Sequence, residues 1–486
     1  MRKPFSRQRR LDCKSPEKVS LNFECRHEII PVLRALQHIY SQPRLRDKIL
    51  QLVAQDVNRD SRDDRGRPGM DYWQILVLSA VRLGCDLNYD ALQDLAEQHR
   101  ALRQIMGLGD WEEEDFHFRR IHDNIGLVRP ETIAAIDQLL VGEGHRLAPE
   151  AVKKVRADSF VVETNIHYPS ESTLIRDGVR KVIELAVVQA EAWHLHGWRQ
   201  HEHLLRKVRK LTRRIERIAA RKGPEYRTRL KKPYRQLLQV SGKVLHKARR
   251  LCEELEALDG DSDVVFKVQE IRTFIERTQQ VRDTARRRVL HGERVPNEDK
   301  LFSIFEPHTQ LYKRGKAGEP EQFGRLFLVY EDAAGFVVQH HLVPRDKGDR
   351  DVIVEQTQRL QEFLKGKMES LSLDRGFHSP ENQEQLRQIV PHLCLPKPGA
   401  KQAAKQEETA TVQFRQARQR HPGVESAIGG LQFGNGLKRC RDHTEIGFER
   451  YLALGILGRN LHTLGRLLIA QQAPKSLAAQ SQRKAA

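Results

Sequence analysis

The apolar positions of this chain change their spacing three times, and each change predicts a different kind of element. From 71 to about 142, apolar residues recur at helical intervals, with Asn88 or Asp90 as a plausible cap for the second helix. This pattern predicts an all-helical block, over 66–150. It suits a helix-turn-helix DNA reader or a dimerisation scaffold equally well.

The spacing then switches to that of strands. Residues 155–164 are rich in β-branched side chains and carry Asp158 in the middle. Further strand patterns cover 325–330 and 335–343, joined by a turn at 333–335, and a helix follows from about 351 to 364. Between 368 and 396 the pattern predicts a short strand ending at Asp374, a helix capped by Ser379 with Pro380 at its first position, and another strand.

A long helical stretch, 172–300, interrupts these strands. Its segment 201–250 holds eighteen Lys and Arg residues and three acidic ones, far from the balance of an ordinary solvated face. Leu204, Val208, Leu211, Ile215 and Ile218 recur at helical spacing. We expect antiparallel helices that form a coiled-coil-like arm. The arm contacts DNA, mediates dimerisation, or is a solvated structural insertion.

Without the insertion, the chain predicts a mixed α/β domain made of 151–171 and 301–470. Residues 1–65 are read as a basic N-terminal segment ending in a charged linker at 62–69, and 471–486 as a disordered tail. Helices are expected over 423–469. The predicted fold class is therefore α/β, with an N-terminal helical domain and a long basic helical insertion.

Composition narrows the class of partner. The 486 residues carry a formal net charge of +19, which favours a polyanion, most often nucleic acid. No apolar run is long enough to span a bilayer, and the basic N-terminus lacks the apolar stretch of a secretory signal. The six cysteines form no CxxC pair, which argues against structural zinc and a disulfide framework. We expect a reduced, cytoplasmic protein without membrane attachment.

Acidic residues on strands suggest the chemistry. Asp158 and Asp374 each lie on or at the end of an apolar strand, and such carboxylates suit Mg²⁺, a hard cation that keeps several waters. The best third ligand is Glu425, beside the apolar stripe Val424, Ile428 and Leu431. Glu445 and Glu449 are rivals, although their surroundings suggest a solvated ion-pair face. Three carboxylates would hold the two ions used in phosphodiester cleavage.

The order of these residues resembles the DDE transposases of bacterial insertion sequences, which have an RNase H-like catalytic core. The stretches that carry the resemblance are 66–109, 157–169 around Asp158, 373–377 around Asp374, and Glu425 with 436–439; 315–316 and 323–324 resemble the approach to the second strand. They cover most of the chain outside the insertion. The chain is most similar to the unclassified group of these transposases.

The resemblance implies Mg²⁺-dependent strand cleavage and strand transfer at the ends of a mobile element. Asp158, Asp374 and Glu425 would hold two Mg²⁺ ions, with Mn²⁺ able to substitute. The partners would be double-stranded DNA, as terminal inverted repeats and target, and further copies of the chain in a dimer or larger assembly. The protein would act at the bacterial nucleoid. Candidate DNA-binding residues are Arg418, Arg420, His421, Lys438 and Arg439.

The chain departs from the related pattern of an Arg four before the glutamate and a Lys seven after it, since His421 and Gln432 stand there. Lys438 or Arg439 would then supply the cation. Three alternatives stay open: an RNase H-like nuclease without strand transfer, a non-catalytic DNA-binding protein derived from a transposase, and an RNA-binding helical protein.

Overall fold

The computed structural model describes residues 3, 13–59, 69–109, 116–221, 223, 225–258, 262–313, 320–399, 406 and 410–484, with side chains to 472. The chain is of mixed α/β class and divides into two compact units. The first comprises Met1–Asn165 and Arg325–Ala486, and the second Ile166–Gly324. Most of the linker predicted at 62–69 lies outside the described residues.

Helices dominate the N-terminal part of the first unit. They are α1 (Ile29–Ser41), α2 (Pro43–Val57), α3 (Tyr72–Gly84), α4 (Tyr89–Gln98), α5 (Arg100–Ile105), α6 (Phe118–Gly126) and α7 (Pro130–Leu147). Asn88 caps α4 as predicted, because its side chain accepts from the backbone N–H of Ala91. Residues 1–65 were expected to be a basic segment, yet α1 and α2 bury apolar stripes there.

The C-terminal helix, here α16 (Glu445–Lys484), packs against α1, α3 and α7. The contact with α3 is close enough to require glycine: a Cβ on Gly458 would lie 2.6 Å from the backbone nitrogen of Gly84. The backbone stays helical to Lys484, where the sequence predicts a disordered tail from 471. Among the described residues, no helix has both the length and the apolar character needed to cross a bilayer.

The sheet of the first unit lies between these helices in sequence. Its strands are β1 (Lys154–Glu163), β3 (Gln322–Asp332, from Arg325 in this unit), β4 (Val337–Leu342), β5 (Ser370–Leu373) and β6 (His392–Cys394). They run in the order β4-β3-β1-β5-β6. β3 and β4 form an antiparallel hairpin, whereas β1, β5 and β6 are parallel neighbours, so the sheet is mixed, as predicted.

The remaining helices of this unit connect the parallel strands or follow them. They are α12 (Asp349–Phe363), α13 (Pro380–Ile389), α14 (Val412–Arg420) and α15 (Gly423–Gly434). α13 crosses from β5 to the parallel β6, as a parallel pair requires. Its start is the predicted one: Ser379 accepts from the N–H of Asn382, and Pro380 occupies the first turn.

The second unit is a helical bundle with its own core. It contains α8 (Glu171–Ala192), α9 (His201–Arg221), α10 (Tyr226–Glu256), α11 (Ser262–Ala285), a π-helical turn (Arg286–His291), and β2 (Gln310–Tyr312), which pairs with Gln322–Gly324. All four helices contribute to one apolar cluster. The helices of the predicted coiled-coil-like arm thus fold as a bundle that buries its apolar stripes internally.

Candidate active site on two neighbouring parallel strands

Asp158 and Asp374 occupy matching positions on neighbouring parallel strands. The paired register of β1 and β5 runs from Lys154 with Ser370 to Ala157 with Leu373, and each aspartate is the next residue. Neighbouring strands lie about 4.8 Å apart. The two predicted aspartates, 216 positions apart in the chain, therefore lie side by side, Asp158 within β1 and Asp374 directly after β5.

Strand alternation determines which face they share. Side chains two residues apart point to the same face, so Arg156 and Asp158 lie on one face of β1, and Ser372 and Asp374 on the same face of β5. Ala157 and Leu373 point the other way and are fully buried. The face of the sheet that carries the two aspartates is therefore polar on both strands, while the opposite face is apolar there.

Local backbone geometry fixes both aspartates. Asp374 caps the short turn Arg375–Phe377, and its Oδ1 accepts from the N–H of Arg375 at 2.7 Å. Asp158 likewise accepts from the N–H of Ser159 at 2.7 Å. Asp374 is exposed and Asp158 is half-buried.

The junction between α14 and α15 is tied to this face by two contacts. Arg156 donates from Nη1 to the carbonyl oxygen of Arg420 at 3.0 Å. Nδ1 of His421 lies 3.2 Å from Oγ of Ser372. A Cβ on Gly423 would come within 2.0 Å of Nη1 of Arg156, so α15 begins directly over the guanidinium.

Glu425 lies in the first turn of α15. Val424, Ala427, Ile428 and Leu431 bury the inner side of this helix, as the apolar stripe predicts, while Glu425 is exposed. Burial lowers the pKa of His421, and the charges of Asp374 and Glu425 oppose that shift. Both carboxylates are therefore near enough to His421 to act on its imidazole.

Arg156 is itself held by a buried partner. Its Nε and Nη2 lie 2.7 and 2.6 Å from Oε2 of Glu331, whose side chain is 2% exposed. Burial raises the pKa of Glu331, and the guanidiniums of Arg156 and Arg459 oppose the rise. A buried charge needs such partners, so this network fixes Arg156 below the α14–α15 junction.

The two rival glutamates lie elsewhere in the fold. Glu445 contacts Nη1 of Arg325 at 3.4 Å. Burial and the neighbouring charge of Glu445 raise the pKa of Glu449. Both therefore belong to a charged group around Arg325 at the start of α16, and Glu425 is the glutamate that shares a neighbour with Asp374.

The predicted DNA-binding residues have different surroundings. Arg420 is exposed at the end of α14, and Arg418 is near enough to affect the pKa of His421. Lys438 stands 5.5 Å from the ring centre of the exposed Phe433. Arg439 pairs with Glu163 at 2.9 Å but keeps 56% of its side chain exposed. His421 differs from the others because it points into the site, toward Ser372.

The donor set suits a hard divalent cation, since all three candidate ligands are carboxylates. Among the described residues, however, no group of three His, Cys, Asp or Glu side chains lies close enough to hold a metal ion. The register of β1 and β5 places the two aspartates together, and Glu425 lies in the first turn of α15, whose start is tied to the same strand face.

Sequence reasoning missed the roles of Arg156 and Glu331, and it assigned His421 to DNA. Alternation along β1 was the available signal, because Arg156 precedes Asp158 by two residues. Asp349, the first residue of α12, accepts from Oγ of Ser159 at 2.5 Å. Ser159 points to the face opposite Asp158, so Asp349 supports the strand from the other side.

The chain was compared with models of protein families, with curated proteins and with solved structures, and no match was found in any of the three.

Proposed function

We propose that this protein is a DDE-type transposase that cleaves DNA strands and transfers them at the ends of an insertion sequence. The observation that carries the proposal is the register of β1 and β5, which sets Asp158, in the middle of β1, beside Asp374, directly after the parallel β5. Two carboxylates so placed, below a helix that carries a third, form the ligand set of a phosphoryl-transfer site.

The proposed core is RNase H-like. The order β4-β3-β1-β5-β6, with an antiparallel hairpin on one side and parallel strands on the other, supports this assignment. So does the position of the acidic residues on the two central strands. The helical bundle would then be an insertion between the first strand of the core and the second.

Asp158, Asp374 and Glu425 would hold two Mg²⁺ ions, or Mn²⁺ in their place. When bound, such ions lower the pKa of an attacking water or hydroxyl and stabilise charge on the leaving oxygen. The protein's own contribution is positioning. Arg156 and His421 fasten the start of α15, the helix that carries Glu425, to the strand face of the two aspartates.

The surrounding cations fit a phosphate-bearing substrate. Two of the candidate cations, Arg418 and Arg420, belong to α14, and two others, Lys438 and Arg439, follow α15. The whole chain carries a net charge of +19. Phosphate contacts of this kind fix the register of a duplex without reading its sequence. We therefore propose that double-stranded DNA, as terminal repeats and as target, is the substrate, bound by a dimer or larger assembly in the bacterial cytoplasm.

Strand joining is the direct test of this function. The purified protein would be incubated with Mg²⁺, a supercoiled plasmid, and labelled duplexes taken from the DNA on either side of its coding sequence. A transposase releases 3′-hydroxyl ends at fixed positions and joins them to the plasmid. Cleavage without joined product would identify a nuclease, and binding without either would identify a non-catalytic DNA-binding protein.

A further inference from the structure

One helix of the bundle presents a face made almost entirely of cations. α9 carries eight Lys and Arg residues against Glu202 and Glu216. Every one of the eight is exposed; they are Arg206, Lys207, Arg209, Lys210, Arg213, Arg214, Arg217 and Arg221. Among the described residues, none of them forms an ion pair.

On α8 and α11, unlike on α9, Lys and Arg side chains form ion pairs with acidic residues. On α8, Arg180 and Lys181 both contact Glu184. On and after α11, Lys267, Arg272, Arg286 and Arg287 pair with Glu270, Glu256, Asp283 and Glu293 respectively. Cations of the bundle are thus neutralised by nearby acidic residues on α8 and α11. α9 is built otherwise, and so is its neighbour α10, on which Arg250 with Glu254 is the one ion pair of a Lys or Arg among the described residues.

The cations of α9 are held in a fixed row. Val208, Leu211, Thr212 and Ile215 bury the inner side of the helix in the apolar cluster of the bundle. Directly opposite that side, Arg206, Lys210, Arg213 and Arg217 follow one another at intervals of four, three and four residues. A rise of 1.5 Å per residue makes this row about 16 Å long.

Such a row costs stability in the free protein. Like charges three or four residues apart repel, and no acidic residue lies between Arg206 and Arg217 in the row to offset them. A bound polyanion would offset this repulsion, because its negative charges would attract the cations of the row. The row therefore has the properties of a binding surface rather than of a solvated face.

We propose that the outer face of α9 binds the phosphate backbone of double-stranded DNA. The face has no Phe, Tyr or Trp side chain on which unpaired bases could stack, which disfavours single strands. Its apolar residues are used inside the bundle, so none is available for insertion into a membrane surface. A rigid row of cations suits the regular phosphates of a duplex.

This inference rests on the proposed function only for the choice of DNA over duplex RNA. It requires neither the metal ions nor Glu425. It would give the chain a second, sequence-independent contact with DNA, on a unit other than the one that holds the catalytic aspartates.

The test measures duplex affinity against salt concentration in EDTA, so that cleavage plays no part. The full chain would be compared with a variant carrying Arg206→Gln, Lys210→Gln, Arg213→Gln and Arg217→Gln. The matched control carries Arg180→Gln, Arg272→Gln, Arg286→Gln and Arg287→Gln, which changes the net charge equally at ion-paired sites. The same titrations on duplex RNA separate the two nucleic acids.

We expect the α9 variant to bind DNA about tenfold or more weakly at 0.15 M salt, with the slope of log affinity against log salt reduced by about 3 to 4. The control should change that slope by less than about one. The α9 variant should also unfold at the same or a higher temperature than wild type. Equal slopes for the two variants, or a loss confined to duplex RNA, would overturn the proposal.

Discussion

Nδ1 of His421 lies 3.2 Å from Oγ of Ser372, and this contact joins the start of α15 to the strand that ends at Asp374. The two residues are 49 positions apart in the chain. The contact links the second aspartate and the helix that carries Glu425, and so connects two members of the proposed triad.

Removal of this contact should affect catalysis more than folding. We expect His421→Ala to lower the cleavage rate by about tenfold to a hundredfold, because α15 loses its tie to β5 and a misplacement of about 1 Å is that costly. His421→Asn, which keeps a hydrogen-bonding atom near the position of Nδ1, should retain more activity. Rates would be measured at saturating DNA, across a range of Mg²⁺ concentrations.

A double-mutant cycle provides the control for this prediction. If His421 acts through Ser372, then His421→Ala should have little further effect in the Ser372→Ala background. Strictly additive losses would show that the two side chains act separately. Unchanged cleavage in both single variants would remove His421 from the positioning role.

Two glycines of α15 should respond oppositely to the same substitution. Gly423→Ala places a Cβ 2.0 Å from Nη1 of Arg156, and Arg156 has little freedom to yield because it is paired with the buried Glu331. We expect a loss of about 1–3 kcal/mol in the free energy of unfolding, together with a loss of cleavage activity.

Gly429→Ala is the matched control in the same helix. A Cβ at Gly429 would meet no atom within 4 Å, and alanine is favoured over glycine within a helix by about 0.5–1 kcal/mol. The free energy of unfolding, from denaturant titration, should therefore rise. An equal response at both positions would contradict the close approach of Arg156 to α15.

The buried Asp137 makes stability depend on pH. Burial raises its pKa to about 7, opposed by the hydrogen bond that Asn460 donates. The folded state then holds a proton that the unfolded state releases near pH 4. The contribution of Asp137 to the free energy of unfolding is therefore largest below about pH 4. It declines by at most about 4 kcal/mol as pH rises toward 7.

Asp137→Asn removes the titrating group with little change in shape. We predict that the free energy of unfolding of the variant, relative to that of wild type, rises between pH 4.5 and 7.5. Only wild type has a buried carboxyl group that loses its proton in that window and is thereby destabilised. Denaturant titrations at several pH values would measure it. A difference that stays constant over the window would mean that Asp137 does not titrate there.

The features that the sequence predicted correctly depend on local signals. β-branched runs mark β1, and Ser379 followed by Pro380 marks the start of α13. Asn88 marks the start of α4 in the same way. Each signal involves residues within a few positions of one another, so a single segment contains all the information needed.

The contacts that organise the site are long-range, and no local pattern encodes them. Arg156 and Glu331 are 175 positions apart. Alternation along β1 indicates which face Arg156 shares with Asp158, but the register between strands is needed to identify its partner. The helices α1 and α2 were missed because Pro31, Pro43 and the surrounding cations obscure their apolar spacing.

The most direct test of the central claim is the rate of Mg²⁺-dependent DNA cleavage by wild type, Asp374→Asn and Glu381→Gln at saturating DNA. Glu381 is an exposed acid in α13, so its replacement controls for the loss of a nearby charge. We predict that Asp374→Asn binds DNA as wild type does but cleaves at least about a thousandfold more slowly, while Glu381→Gln cleaves normally. Cleavage by Asp374→Asn at the wild-type rate would contradict the proposed site.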